Sequence, residues 1–149
     1  MGSSLPSRRR DGIFDPVRKK KVVATPEEIV RQEWIARLRS TLRFPPEAIS
    51  VERGLFSPKL PMVRVDRSSR RFDLLCFHLR KGIPLLLIEC KAIPLQERMF
   101  SQLWGYNARV RAPFVALVND KEVRMSWEST TGRRMIDYIP VYEELCRCF

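Results

Sequence analysis

RFDLLCFHLRKGIPLLLIECK, residues 71–91, contains two short apolar runs, Phe72-Asp73-Leu74-Leu75-Cys76-Phe77 and Pro84-Leu85-Leu86-Leu87-Ile88-Glu89-Cys90, separated by Arg80-Lys81-Gly82. Their length suits strands and the glycine-bearing spacer suits a hairpin turn. Each run is apolar at odd and even positions, so the sheet they enter is predicted to be covered on both faces. An acid starts the first strand and another ends the second. An ionised carboxylate inside a sheet is costly unless a cation or hydrogen-bond donor compensates it. Side chains alternate along a strand, so Glu89 and Lys91 share one face and Cys90 takes the other. The hairpin brings Asp73 beside Glu89. Two carboxylates and an ammonium then converge, an arrangement that suits a hard divalent ion, Mg²⁺ or Mn²⁺, with Lys91 orienting or deprotonating an attacking water. The same residues also fit a solvent-exposed ion pair at strand ends.

Upstream of this hairpin, Thr25 is an N-cap type, Pro26 suits the first helical position, and Glu28 stands three residues after Thr25 as in a capping box. Val30, Trp34, Ile35, Leu38 and Leu42 follow with helical periodicity, and Phe44-Pro45-Pro46 is the expected stop. Ala48 to Val51 reads as a strand and Gly54 to Pro61 as a loop. After the hairpin, Gln96 to Val110 carries Met99, Leu103, Tyr106 and Val110 at helical spacing. Phe114 to Val118 and Val123 to Trp127 are further strands, and Tyr142 to Leu145 is a terminal helical turn. The order predicted is α, β, β, β, α, β, β.

The chain has 149 residues, 28 Lys+Arg against 17 Asp+Glu, and a formal net charge of +11. That size implies one domain, and a positive field of this strength attracts polyanions, nucleic acid first. No apolar run approaches the roughly 20 residues of a membrane span. Cys76, Cys90, Cys146 and Cys148 have no repeated spacing and the first residues have no secretory character, so a reduced, cytoplasmic protein is expected. Residues 1–24 carry Arg8, Arg9, Arg10, Arg18, Lys19, Lys20 and Lys21 against Asp11 and Asp15. They are predicted to be a flexible basic arm, mobile unless Ile13 and Phe14 pin it, ahead of a domain over 25–149.

Arg71-Phe72-Asp73, Glu89-Cys90-Lys91 and Gln102-x-x-x-Tyr106, in this order and behind a Glu-bearing helix, resemble the PD-(D/E)xK nuclease superfamily. More narrowly, they are similar to the N-terminal nuclease domain of type I restriction enzyme motor subunits and to RecB-like nucleases. Phe72 stands where the oldest form of the motif has proline. The resemblance implies an α/β fold with a restriction-endonuclease-like αβββαβ core, a central mixed sheet flanked by helices, and a Mg²⁺- or Mn²⁺-dependent deoxyribonuclease. It implies that Asp73 and Glu89 bind metal, that Lys91 is the catalytic lysine, and that Gln102, with Tyr106 closing the motif, holds the active site and DNA. It also implies a metal-binding glutamate on the first helix. Glu27 is preferred over Glu28 for that role, because Glu28 has a capping job and the phase of Glu27 matches the buried stripe.

Arg64, Arg67, Arg70 and Arg71 crowd the approach to Asp73, as DNA-phosphate ligands or as a solvated basic face. His78 reads as a hydrogen-bonded strand-end residue. No P-loop or motor pattern fits in the chain, so motor or specificity functions would belong to other subunits. RNA remains open as a substrate, and a nucleic-acid-binding or assembly module that keeps the fold without turnover is the rival reading.

Overall fold

The computed structural model describes residues 12–51 and 73–149. The segments 1–11 and 52–72, which include Arg8 to Arg10, the Gly54 to Pro61 loop, Arg64, Arg67, Arg70, Arg71 and Phe72, lie outside the described residues.

Strands β1 (Ile13–Asp15) and β2 (Lys20–Val22) pair antiparallel. Helix α1 spans Pro26–Arg39, and the Thr25 hydroxyl accepts the Glu28 amide at 3.1 Å. A single 3₁₀ turn, Pro46–Ala48, leads into β3 (Ile49–Val51). Then come β4 (Leu74–His78), β5 (Ile83–Cys90), α2 (Glu97–Val110), β6 (Phe114–Val118), β7 (Val123–Ser129), β8 (Gly132–Ile136) and α3 (Tyr142–Arg147). Strands β3 to β8 form one six-stranded sheet in sequential order. All its neighbours are antiparallel except β5 and β6. A parallel pair needs a crossover, and α2 supplies it. The run α1, β3, β4, β5, α2, β6 is the expected αβββαβ core.

The two apolar faces of β4 and β5 are covered as their sequence requires. On one face Val30, Trp34, Ile35 and Leu38 of α1 pack with Leu74, Cys76, Leu86, Ile88, Cys90, Ala116 and Val118. On the other, Met99, Leu103 and Val110 of α2 pack with Leu75, Phe77, Leu87, Val115 and Leu117. The β4–β5 turn closes with the Gly82 amide donating to the His78 carbonyl at 2.8 Å, Gly82 standing at φ +63°. Helix α3 is fixed by Tyr142, whose hydroxyl donates to the Phe77 carbonyl at 3.0 Å and whose ring lies 5.1 Å from that of Phe44. Among the described residues no helix is long and apolar enough to cross a membrane.

One expectation is corrected, the end of α1, and two elements are added. Residues 13–22, in the segment expected to be a basic arm, form the β1–β2 hairpin. Asp15 is fully buried and accepts the Val17 amide at 2.7 Å, and Gly12, at φ +75°, lies so close to Val22 that a Cβ would meet its carbonyl oxygen at 2.5 Å. Phe14 is exposed, so polar bonds rather than that aromatic ring hold the turn. Helix α1 stops at Arg39 instead of at the prolines, because the chain reverses through Arg43 (φ 57°). The Leu42 and Phe44 amides then donate back to Arg37 and Leu38 at 3.0 and 2.7 Å, which buries Phe44. Strand β8 has no apolar alternation to reveal it, since its first four residues are exposed.

Candidate active site

The register fixes the heart of the site. Leu74 pairs with Ile88, so one step further out Asp73 comes opposite Glu89. The Cys90 amide donates to Asp73 Oδ2 at 2.8 Å, tying the acid to the neighbouring strand. Lys91 Nζ lies 3.3 Å from Glu89 Oε1, as expected for residues two apart on one strand face. That face is the one covered by α2. The Lys91 amide continues the parallel pairing to the Val118 carbonyl at 2.9 Å. The three residues therefore stand at the carboxyl ends of the parallel pair β5–β6, where open α/β sheets place their ligand sites.

Helix α1 reaches the same point through Arg31. Its Nη2 donates to Asp73 Oδ1 at 2.7 Å and its Nη1 to Glu28 Oε1 at 2.9 Å. Glu28 also takes Gln32 Nε2 on Oε2 at 3.2 Å and Arg18 Nη2 on Oε1. Arg18 Nε in turn donates to Asp15. Burial alone would lower the Arg18 value, but Glu28 and Asp15 outweigh it and hold the guanidinium more firmly protonated.

Glu27 is exposed and Glu28 is only 6% exposed, so the placement of the first-helix acid differs from the sequence expectation. Helical phase identifies a side of the helix, but not what covers it. Pro26, Glu27 and Ile29 face solvent in the first turn, whereas the hairpin packs along the flank that carries Gln32 and Ile35. Glu28 also caps only by its amide, because the Thr25 amide donates to Val23 and the Glu28 carboxylate is turned to the arginines.

Gln102 is exposed on α2 and Tyr106 half-buried against the α2-side core, in the layer from which Glu89 and Lys91 project. Arg64, Arg67, Arg70 and Arg71 have no described position. His78 is buried, its Nδ1 accepting the Lys81 amide at 3.3 Å, in keeping with a strand-end role. Among the described residues no group of three or more His, Cys, Asp or Glu is gathered as a metal cage. Cys90, beside the site, is buried, which pushes its thiol well up and keeps it protonated.

A profile of the type I restriction enzyme R protein N terminus matches residues 26–140, from the first residue of α1 to the approach to α3. The chain belongs to that family. The fragment structure of a putative HsdR subunit of a type I restriction enzyme from Vibrio vulnificus YJ016 shares the fold, with a TM-score of 0.56 over 83% of this chain at 21% identity. This chain spans 24% of that one. No curated protein matches significantly.

In this R-protein N-terminal domain, sequence alone did not show the bridging roles of Arg18 and Arg31 or a clamp behind the site. Buried Asn119, just after β6, accepts the Lys121 and Glu122 amides on Oδ1 at 2.8 and 2.6 Å. Its Nδ2 donates to the Ile93 carbonyl at 3.0 Å, and its own carbonyl takes Trp34 Nε1 at 3.1 Å. Glu122 Oε2 accepts the Leu95 amide at 3.2 Å. These bonds fix the loop that follows Lys91. The turn-type run Asn119-Asp120-Lys121-Glu122 behind a buried strand was the available signal.

Proposed function

We propose that this domain is a metal-dependent deoxyribonuclease that hydrolyses phosphodiester bonds, working with motor and specificity subunits in a cytoplasmic restriction or repair assembly. The observation that carries the reading is Asp73 held by the Cys90 amide opposite Glu89, with Lys91 Nζ 3.3 Å from Glu89 Oε1.

The donor set fits Mg²⁺ or Mn²⁺. Mg²⁺ keeps several waters and binds through one or two carboxylates together with substrate phosphate. Asp73 and Glu89 would be those carboxylates, and the Arg31 and Cys90 bonds leave lone pairs on both Asp73 oxygens. Asp15, Glu28, Asp73 and Glu89 outnumber Arg18, Arg31 and Lys91 by one, so the cluster carries residual negative charge to attract a cation. When bound, such an ion supplies acidification of water and neutralisation of phosphoryl charge. Lys91, anchored by Glu89, would orient the attacking water and face the anionic phosphate. Gln102, exposed on the same layer, would contact the DNA, with Tyr106 packed against the core behind it. The fit of the chain's +11 charge to a phosphate backbone supports the substrate class.

The test is purified protein with supercoiled and linear DNA and with RNA, with and without Mg²⁺ or Mn²⁺, beside Lys91→Ala. DNA cleavage only with metal is expected. The variant should retain Mn²⁺ and DNA binding and lose about 10²- to 10⁴-fold in rate. A folded, metal-bound wild type that cleaves no nucleic acid would leave the non-cleaving binding module as the function.

A further inference from the structure

Asp15, Arg18, Glu28, Arg31 and Asp73 form a chain of bonds that alternates in charge and runs from the N-terminal hairpin, across α1, to the start of β4. We propose that this relay makes Arg18, Glu28 and Arg31 positioning residues for Asp73, and that the Glu28 carboxylate acts by holding Arg31 rather than by binding metal. The proposal deepens the nuclease reading and rests on it for the role of Asp73.

The geometry of Arg31 carries it. One guanidinium nitrogen is on Glu28 and the other on Asp73, at 2.9 and 2.7 Å, so a cation already bridges the two acids. A metal shared by Glu28 and Asp73 would have to displace it. Both Glu28 oxygens are engaged by side chains, Oε1 by Arg18 and Arg31 and Oε2 by Gln32. Arg18 repeats the design, with Nε on Asp15 and Nη2 on Glu28. Side-chain exposure is 8% for Arg31, 7% for Glu28 and 0% for Asp15, so these bonds lie where solvent screens them little. A planar fork can join two acceptors, whereas a lysine, with its single point charge, cannot reproduce that span. Asp73 lies just outside β4 and so lacks the strand's own restraint. Its carboxylate is oriented by Arg31 on one oxygen and the Cys90 amide on the other. The hairpin is thereby tied to the site through Arg18 and Glu28.

The experiment uses the full chain with R18K, R31K, E28Q, the double variant R31K/E28Q, and I35V as a control that trims the buried face of α1 without touching the relay. Hydrogen exchange at the Cys90 amide reports directly on Asp73. It should accelerate about tenfold in R18K, R31K and E28Q, the equivalent of one hydrogen bond, and not in I35V. In cleavage assays the relay variants should lose kcat with KM for DNA unchanged. In Mn²⁺ titrations, R31K and E28Q should each weaken binding by about tenfold, and the double variant no more than either, because both act through one path. Unchanged Cys90 exchange in R18K would overturn the relay. Losses of Mn²⁺ affinity that add in the double variant would make Glu28 a metal ligand and overturn its positioning role. If the wild type neither binds Mn²⁺ nor cleaves, the nuclease reading fails, and the Cys90 exchange rates decide the relay alone.

Discussion

Glu27 and Glu28 are adjacent, chemically identical, and placed in opposite environments by one helical step. Glu27→Gln should change stability by less than about 0.5 kcal/mol, as for other surface positions. Glu28→Gln leaves one buried and one half-buried guanidinium short of their anion and should cost about 1–3 kcal/mol, read from urea denaturation. Acid should act on Asp15 and Glu122. Burial alone would raise Asp15, but the Arg18 main chain and side chain and the Val17 amide outweigh it, so its value lies below the ordinary carboxylate range. Glu122 is lowered by the Leu95 amide and the Asn119 side chain. A lowered folded-state value means stabilisation that is complete above the unfolded carboxylate value of about 4 and is lost as pH falls through the folded one. Melting temperature should therefore fall as pH drops below about 4 to 5, and Asp15→Asn should flatten that fall.

At the scale of elements, the loop between β5 and α2 is where chemistry and framework meet. It begins at Lys91, and its far end is held by Asn119 and Glu122 from the turn after β6. Removing Asn119 unbonds a carbonyl and two amides together. Asn119→Ala should destabilise by about 1–3 kcal/mol. Hydrogen exchange should speed up at Leu95, Lys121 and Glu122, whereas the Cys76 and Leu86 amides deep in the sheet keep their protection. Uniformly faster exchange across the sheet would mean that Asn119 supports the whole core and not the loop.

For the whole molecule, the basic N-terminal segment divides in two. Residues 1–11 contain Arg8, Arg9 and Arg10, whereas the hairpin that follows contains Asp15 and Arg18, the outer end of the relay. Deleting 1–11 should weaken duplex binding and reduce the magnitude of the salt slope, by about 0.9 for each phosphate no longer neutralised, with kcat on bound DNA unchanged. Deleting 1–24 should lower kcat as well. A salt titration and single-turnover cleavage on both truncations check this, and equal kcat in the two would detach the hairpin from the site.

What the chain encodes locally was legible without coordinates. Thr25 and Pro26 marked the start of α1, the doubly apolar runs announced β4 and β5 with both faces covered, and the period of two put Glu89 and Lys91 together. Each depends on neighbours in the chain, whose spacing is fixed by backbone geometry. Tertiary packing selected which first-helix acid turns inward, made residues 13–22 a hairpin, and added β8 to complete the sheet. It also brought Arg31 to Asp73, 42 positions away, and Trp34 to Asn119, 85 positions away. A buried charge chooses its orientation from the counter-charges around it, and here those come from segments remote in sequence, which periodicity along one helix cannot register.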